Sequence, residues 1–130
     1  MAEIRKVGTP SVSSVLTLPA NRIVGARAGE NIAAGDACYI DGTGRVQRSS
    51  GAAPGPAADV RGFAATAASS GDPITLVFDV TMRCSEHLPP DASLYLSAVV
   101  PGGLADAPSP GGSSAVAFTV DATRIHVLQS

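Results

Sequence analysis

The side chains best suited to chemistry are few. His87 and His126 are the only histidines, and Cys38 and Cys84 the only cysteines. None of the four stands at the short, recurring spacing by which His and Cys ligands converge on one metal ion. No serine lies in the sharp Gly-x-Ser-x-Gly turn that exposes a nucleophile; most serines fall in Ser/Gly-rich stretches, where the hydroxyl serves turn formation. Asp36, Asp41, Asp72, Asp91 and Asp121 fall in expected turns, which suits them to capping backbone amides rather than to acid–base work, and Asp79 alone lies inside an expected strand. Gly42-Thr43-Gly44 lacks the lysine and following helix of a phosphate-binding loop. The expectation is a non-enzymatic protein with no catalytic residue, no cofactor and no metal. The two cysteines sit among apolar residues and read as buried free thiols rather than a bridge.

The elements available to position any side chain are strands. The chain has 130 residues, the length of one domain, with 14 glycines, 10 prolines, no tryptophan, 2 tyrosines and 3 phenylalanines. Short apolar runs between frequent turns argue for an all-β fold with an aliphatic core. The clearest strand is Ile74–Cys84, in which every even position is apolar, so one face is greasy and the other wet. On that face Phe78 is expected to fill the core. On the wet face, Thr75, Val77, Asp79, Thr81 and Arg83 form a candidate subunit interface, Val77 being the apolar residue that suggests it. Net charge is −2 and the arginines are scattered singly, which argues against a nucleic-acid partner. No apolar run is long enough for a membrane span, and Met1–Lys6 is followed by no secretory h-region.

Residues 1–21 read as an extended arm that docks either on its own domain or on a partner, with Val12, Val15, Leu16 and Leu18 as apolar anchors. Residues 22–130 read as one β domain. Strands are expected at 22–28, 37–41, 45–48, 60–66, 93–97, 116–120 and 124–128, with loops at 49–58 and 101–114 and a hairpin turn at Asp41-Gly42-Thr43-Gly44. The segment Glu30–Ile40 lies over Glu86–Leu96, with Glu, Tyr and the final aliphatic at matching steps and strand parity kept. Extended backward it sets Val24, Ala26 and Ala28 over Val80, Met82 and Cys84. Extended forward with a one-residue slip, it sets Gly62-Phe63-Ala64 over Ala117-Phe118-Thr119. Two similar halves, about 22–73 and 74–130, would then pack as a small β-sandwich or β-barrel.

Two stretches carry a resemblance. Ala28–Val46, reading AGENIAAGDACYIDGTGRV, resembles a segment of small phage head-decoration (cement) proteins and some tail-associated proteins. Leu94–Pro108 followed by Val116–Ile125 resembles the ending of phage fibre and decoration modules, with Ala117-Phe118 in place of a Gly-aliphatic pair and Asp121 in place of a serine. The resemblance implies a virion protein on the capsid exterior, made in the host cytoplasm. It would be a homotrimer without catalysis, whose arm reaches across subunits of the major capsid protein. The alternative it carries is a tail or fibre component that binds a host surface receptor through the loops 49–58 and 101–114.

Overall fold

A computed structural model describes residues 3, 4, 6, 9–12, 22–86 and 88–128. The chain is all-β, as the turn-punctuated apolar pattern requires. The strands are β1 (Ser11–Val12), β2 (Arg22–Ala28), β3 (Ala37–Ile40), β4 (Arg45–Arg48), β5 (Gly62–Ala64) and β6 (Pro73–Val77). They continue with β7 (Val80–Arg83), β8 (Ser93–Leu96), β9 (Leu104–Ala105), β10 (Ala117–Thr119) and β11 (Arg124–Val127). One turn of 3-10 helix, Pro56–Ala58, interrupts the loop before β5. Each expected strand segment contains a strand, with 74–84 divided into two; β1 and β9 add to them, two-residue pieces held by pairing with distant chain rather than by their own periodicity.

Strands β2–β6 close into a barrel in the order β2-β4-β3-β5-β6, and the remaining strands form a six-stranded sheet, β1-β7-β11-β10-β8-β9. The two arrangements are the same. Going round the first from β2 gives β2-β6-β5-β3-β4, and the second from β7 gives β7-β11-β10-β8-β9. The registers also agree. Ala37 faces Phe63 and Phe63 faces Val77 in the barrel; Ser93 faces Phe118 and Phe118 faces His126 in the sheet. Tyr39 and Ile40 pair with Gln47 and Val46, as Tyr95 and Leu96 pair with Ala105 and Leu104. The repeat read from Glu30–Ile40 over Glu86–Leu96 is therefore a repeat of topology.

The halves meet at Phe78–Asp79, not at 73/74, and the expected single strand Ile74–Cys84 is two strands. Asp79 has φ +51, in the left-handed region, and turns the chain out of the barrel into the sheet. Even parity survives on both sides, but it serves different cores. Ile74 and Leu76 point into the barrel with Ala28, Ile32, Cys38, Val46 and Ala64. Val80, Met82 and Cys84 point into the larger core with Leu94, Leu96, Leu104, Ile125 and Val127. The barrel interior is filled by aliphatic side chains and the Cys38 thiol, with no aromatic ring among them. Ala37, Phe63 and Val77 project from its outer wall and complete the larger core.

This break corrects three expectations. Val77 is fully buried between the halves and cannot lie on a wet face. Phe78, at the corner, is only half-buried, and Phe63 fills the core instead. The set Thr75, Val77, Asp79, Thr81, Arg83 is not one face, since Thr75 belongs to the barrel and Thr81 and Arg83 to the sheet. In β2, a bulge between Ile23 and Ala26 resets parity. Val24 is thereby turned out to solvent while Ala28 stays buried, so the face Val24, Ala26, Ala28 does not turn inward as a unit.

The barrel is closed by parallel pairing of β2 with β4, Arg27 to Arg45 and Ala28 to Val46. In the second half the N-terminal arm does the corresponding work. Glu3 bridges to Ala105 and Ile4 N donates to Leu104 O at 2.9 Å on the β9 edge. Ser11 and Val12 pair with Arg83 and Met82 on the β7 edge. The arm thus supplies pairing to both edges of the sheet, through Glu3 and Ile4 on one and Ser11 and Val12 on the other, which blunts them as templates for another chain.

Candidate functional site

The most connected polar cluster lies where arm, barrel and sheet meet. Lys6 Nζ donates to Asp36 Oδ1 at 2.9 Å and to the Gly102 carbonyl at 3.3 Å. Asp36 is buried, and its other oxygen accepts from Ala33 N at 2.9 Å, so the carboxylate caps its own turn while holding the arm. Ala37 N donates to Gly102 O and Gly102 N donates to Ser49 O. Gly102 has φ +75, and a Cβ there would lie 2.8 Å from Asp36 Cβ, so only glycine brings these three pieces together. Gly35 has φ +84 and faces Pro10 of the arm, where a Cβ would come within 2.7 Å of Pro10 Cγ. The Gly-Asp and Pro-Gly-Gly-Leu parts of the two resembling stretches therefore converge on the arm. On the other side, Ser97 Oγ donates to Glu3 Oε1 and accepts from Val99 N and Val100 N.

Asp41 and Asp121 cap turns, as their positions suggested. Asp41 Oδ1 accepts from Thr43 N at 2.9 Å, Thr43 Oγ1 at 2.6 Å and Arg45 N at 3.0 Å, and Oδ2 accepts from Gln47 Nε2. These bonds, the Thr43 hydroxyl first, hold its carboxyl well below the usual carboxylate range. Asp121 accepts from Arg124 Nε at 2.8 Å and from Thr123 N and Arg124 N. The Arg124 side chain is the main cause of its lowered pKa, about 2. Both carboxyls titrate lower in the folded chain than in the unfolded one, so their contribution is present above about pH 4 and is lost as pH falls toward 2. Urea midpoints are expected to stay level down to about pH 4 and then fall, with Asp121→Asn flattening part of the fall. An unchanged acid limb in that variant would remove Asp121 from the account.

Cys38 and Cys84 are free and buried. Burial, with the Asp36 carboxylate nearby, pushes the Cys38 thiol up to about 12; burial also raises Cys84. Both are poor nucleophiles in the folded chain. His126 Nδ1 lies 3.2 Å from Thr81 Oγ1 and its ring stacks on Phe118 at 5.3 Å between centroids. Among the described residues no three His, Cys, Asp or Glu side chains gather as metal ligands would. His87 lies outside the described residues.

The remaining features are surfaces. A groove of about 450 Å³ runs along the junction of the halves, lined by Ala58, Val60, Leu96 and Val116 among others. The two loops expected to read a receptor bond to one another, Gly111 N donating to Gly51 O and Gly102 N to Ser49 O, and each also bonds to the end of β8, Gly51 N donating to Ser97 O and Ser109 Oγ to Leu96 O. Large apolar side chains stand exposed in two places on the second half. Val99 and Val100 adjoin the arm beside an apolar hollow lined by Ile4, Lys6 and Leu104. Phe118 and Val120 lie on or beside the outer face of the sheet. Of the expected anchors, the Val12 backbone is paired in β1, while Val15, Leu16 and Leu18 lie outside the described residues. Sequence reasoning missed Glu3, Lys6 and Gly102. Their roles depend on contacts 30 or more residues away in the chain, which leave no local pattern.

Comparison with known proteins gave no match: no family model fits the chain, and no curated protein sequence matches it.

Proposed function

We propose that this chain is a structural protein of a phage virion that decorates the capsid and stabilises it by clamping neighbouring subunits of the major capsid protein, without catalysis. The observation that carries this reading is where the two resembling stretches fall. They supply a turn and strands in each half, β3 in the first and β8 to β10 in the second, and meet at the Asp36–Gly102 clasp, so the likeness lies in the scaffold that anchors an N-terminal arm. A small rigid body with a firmly rooted arm is suited to bridging adjacent subunits. Several such arms on one assembly gain by effective concentration, so each contact can be weak.

Glu3, Ile4, Ser11 and Val12 are engaged with the sheet, which moves the expected shell contact to the residues beyond β1, with Val15, Leu16 and Leu18 as its anchors and Val12 as its root. The test is co-sedimentation with capsids of the source phage. The variant carrying Val15→Ser, Leu16→Ser and Leu18→Ser should lose binding at least tenfold while keeping its melting temperature, a loss of about 1.4 kcal/mol or more. Full binding by that variant would refute the arm as the clamp. Copy number in purified virions, in proportion to the shell subunits, separates decoration from the alternative of a tail component present in few copies. The mutual bonding of the 49–58 and 101–114 loops favours decoration, because it ties down the backbone that a receptor-reading loop would present.

A further inference from the structure

Of the aspartates, Asp41 alone is followed by glycine. An Asp-Gly bond is prone to rearrange, because no side chain shields the amide nitrogen that follows the carboxyl. Gly42 N attacks Asp41 Cγ, the amide proton leaves with the carboxyl hydroxyl as water, and a succinimide ring forms. Water then reopens the ring. Attack at the side-chain carbonyl restores aspartate. Attack at the main-chain carbonyl leaves the backbone running through Cγ, as isoaspartate. The sequence of steps needs only water, and Gly42 stands in open space at the exposed tip of the β3–β4 turn.

The folded chain holds this reaction back. Its backbone is pinned, Asp41 N donating to Arg45 O at 2.9 Å and Gly44 N to Asp41 O at 3.0 Å. Both carboxylate oxygens are pinned as well, Oδ1 by Thr43 and Arg45 N, and Oδ2 by Gln47 Nε2 at 2.9 Å. Cγ is thereby kept from swinging onto its own following nitrogen. The same bonds favour the ionised carboxylate, from which oxygen does not depart as water. Gln47 reaches Asp41 by its side chain from β4, and a distant glycine makes room for it: a Cβ on Gly29 would overlap Gln47 Nε2. We infer that Asp41–Gly42 is the chain's site of spontaneous isoaspartate formation, and that Gln47, seated over Gly29, is the latch that slows it. Isoaspartate adds a methylene to the backbone between Ile40 and Val46, which pair across β3 and β4. Val46 in turn pairs with Ala28 to close the barrel, so the lesion would loosen that closure. The reaction needs no partner, and the inference stands or falls apart from the capsid reading.

The measurement is isoaspartate content over weeks at neutral pH, read by methyltransferase labelling and located by fragmenting the peptide that holds Asp41. The full chain is compared folded and unfolded in guanidinium, with Gln47→Leu and Gly29→Ala as folded variants. Both variants should keep a native melting curve, since the end of the Gln47 side chain is free to move aside from an added methyl. The folded wild type should react at least about tenfold more slowly than the unfolded chain, several hydrogen bonds having to break first. Each variant should react at least about threefold faster than the folded wild type, as the loss of one such bond implies. Asp41→Glu should abolish the signal, because its longer side chain closes the larger ring far more slowly. Should either variant lose its native melt, Gln47→Glu, which keeps the shape and removes the donor, takes its place. A folded wild type that reacts as fast as the unfolded chain overturns the inference. So do folded variants that react no faster than the wild type, and so does a signal that survives in Asp41→Glu.

Discussion

Deleting residues 1–12 is expected to unfold the second half of the molecule while the barrel persists. The segment supplies pairing to both open edges of the sheet, through Glu3 and Ile4 on β9 and Ser11 and Val12 on β7. It also supplies the Lys6 partner of the buried Asp36 carboxylate and the Pro10 ring against Gly35. Backbone bonds contribute about 1 kcal/mol each, and a buried carboxylate stripped of its partner costs about 1–3 kcal/mol. Together with the apolar contacts of Ile4 the loss is at least about 5 kcal/mol, which is the whole stability of a marginal domain. The two cysteines report on it separately. Cys84, in the sheet's core, should become reactive to a thiol reagent under native conditions, and Cys38, inside the barrel, should stay protected. Continued protection of Cys84 with an unshifted melt would show that the sheet stands without the arm. The same result bears on arm-deletion experiments generally: loss of capsid binding after truncation would not distinguish a missing clamp from a collapsed half, which is why substitutions beyond β1 are the cleaner test.

Replacing Phe63 by alanine is expected to cost about 3–5 kcal/mol, and replacing Phe78 about 1 kcal/mol. Phe63 is fully buried in the outward row of the barrel, where it touches both halves' apolar residues, and its removal leaves a cavity that neither rigid sheet can collapse to fill. Phe78 is half-buried at the crossover, so much of its ring already meets water in the folded state. Urea denaturation of the two variants in parallel decides the order. A larger loss at Phe78 would restore the uninterrupted strand 74–84 and move the boundary between the halves.

How much of this was legible depended on whether the signal was local. The Asp41-Gly42 turn, the short strands either side of it and the repeat of Glu30–Ile40 over Glu86–Leu96 are written in neighbouring residues, and they appear in place. The break at Phe78–Asp79 left no trace in periodicity, because apolar residues continue on even positions through the crossover; the pattern records burial and is silent on which core does the burying. The bulge in β2 was hidden for a related reason, since Val24, Ala26 and Ala28 alternate correctly while the backbone between Ile23 and Ala26 does not. Pairings of two residues, such as β1 and β9, are too short to carry a period. Phe118 was set over Phe63 by the repeat, but that one is covered and the other open only the two packed halves could tell.

The arm's double engagement also fixes an order of events in time. Glu3 meets Ala105, so the arm is synthesised about a hundred residues ahead of its partner and has no complete site until β9 has followed it. The barrel, whose pairings all lie within residues 22–77, can form while the arm is still undocked. Closing so long a loop comes late and is slow relative to the hairpins it joins. During that interval the edges of β7 and β9 stand open, and a neighbouring chain's arm fits them as well as the molecule's own. Refolding at high protein concentration is therefore the condition under which arms would be exchanged between molecules, and dilution or a slow release of denaturant is the condition that keeps each arm at home.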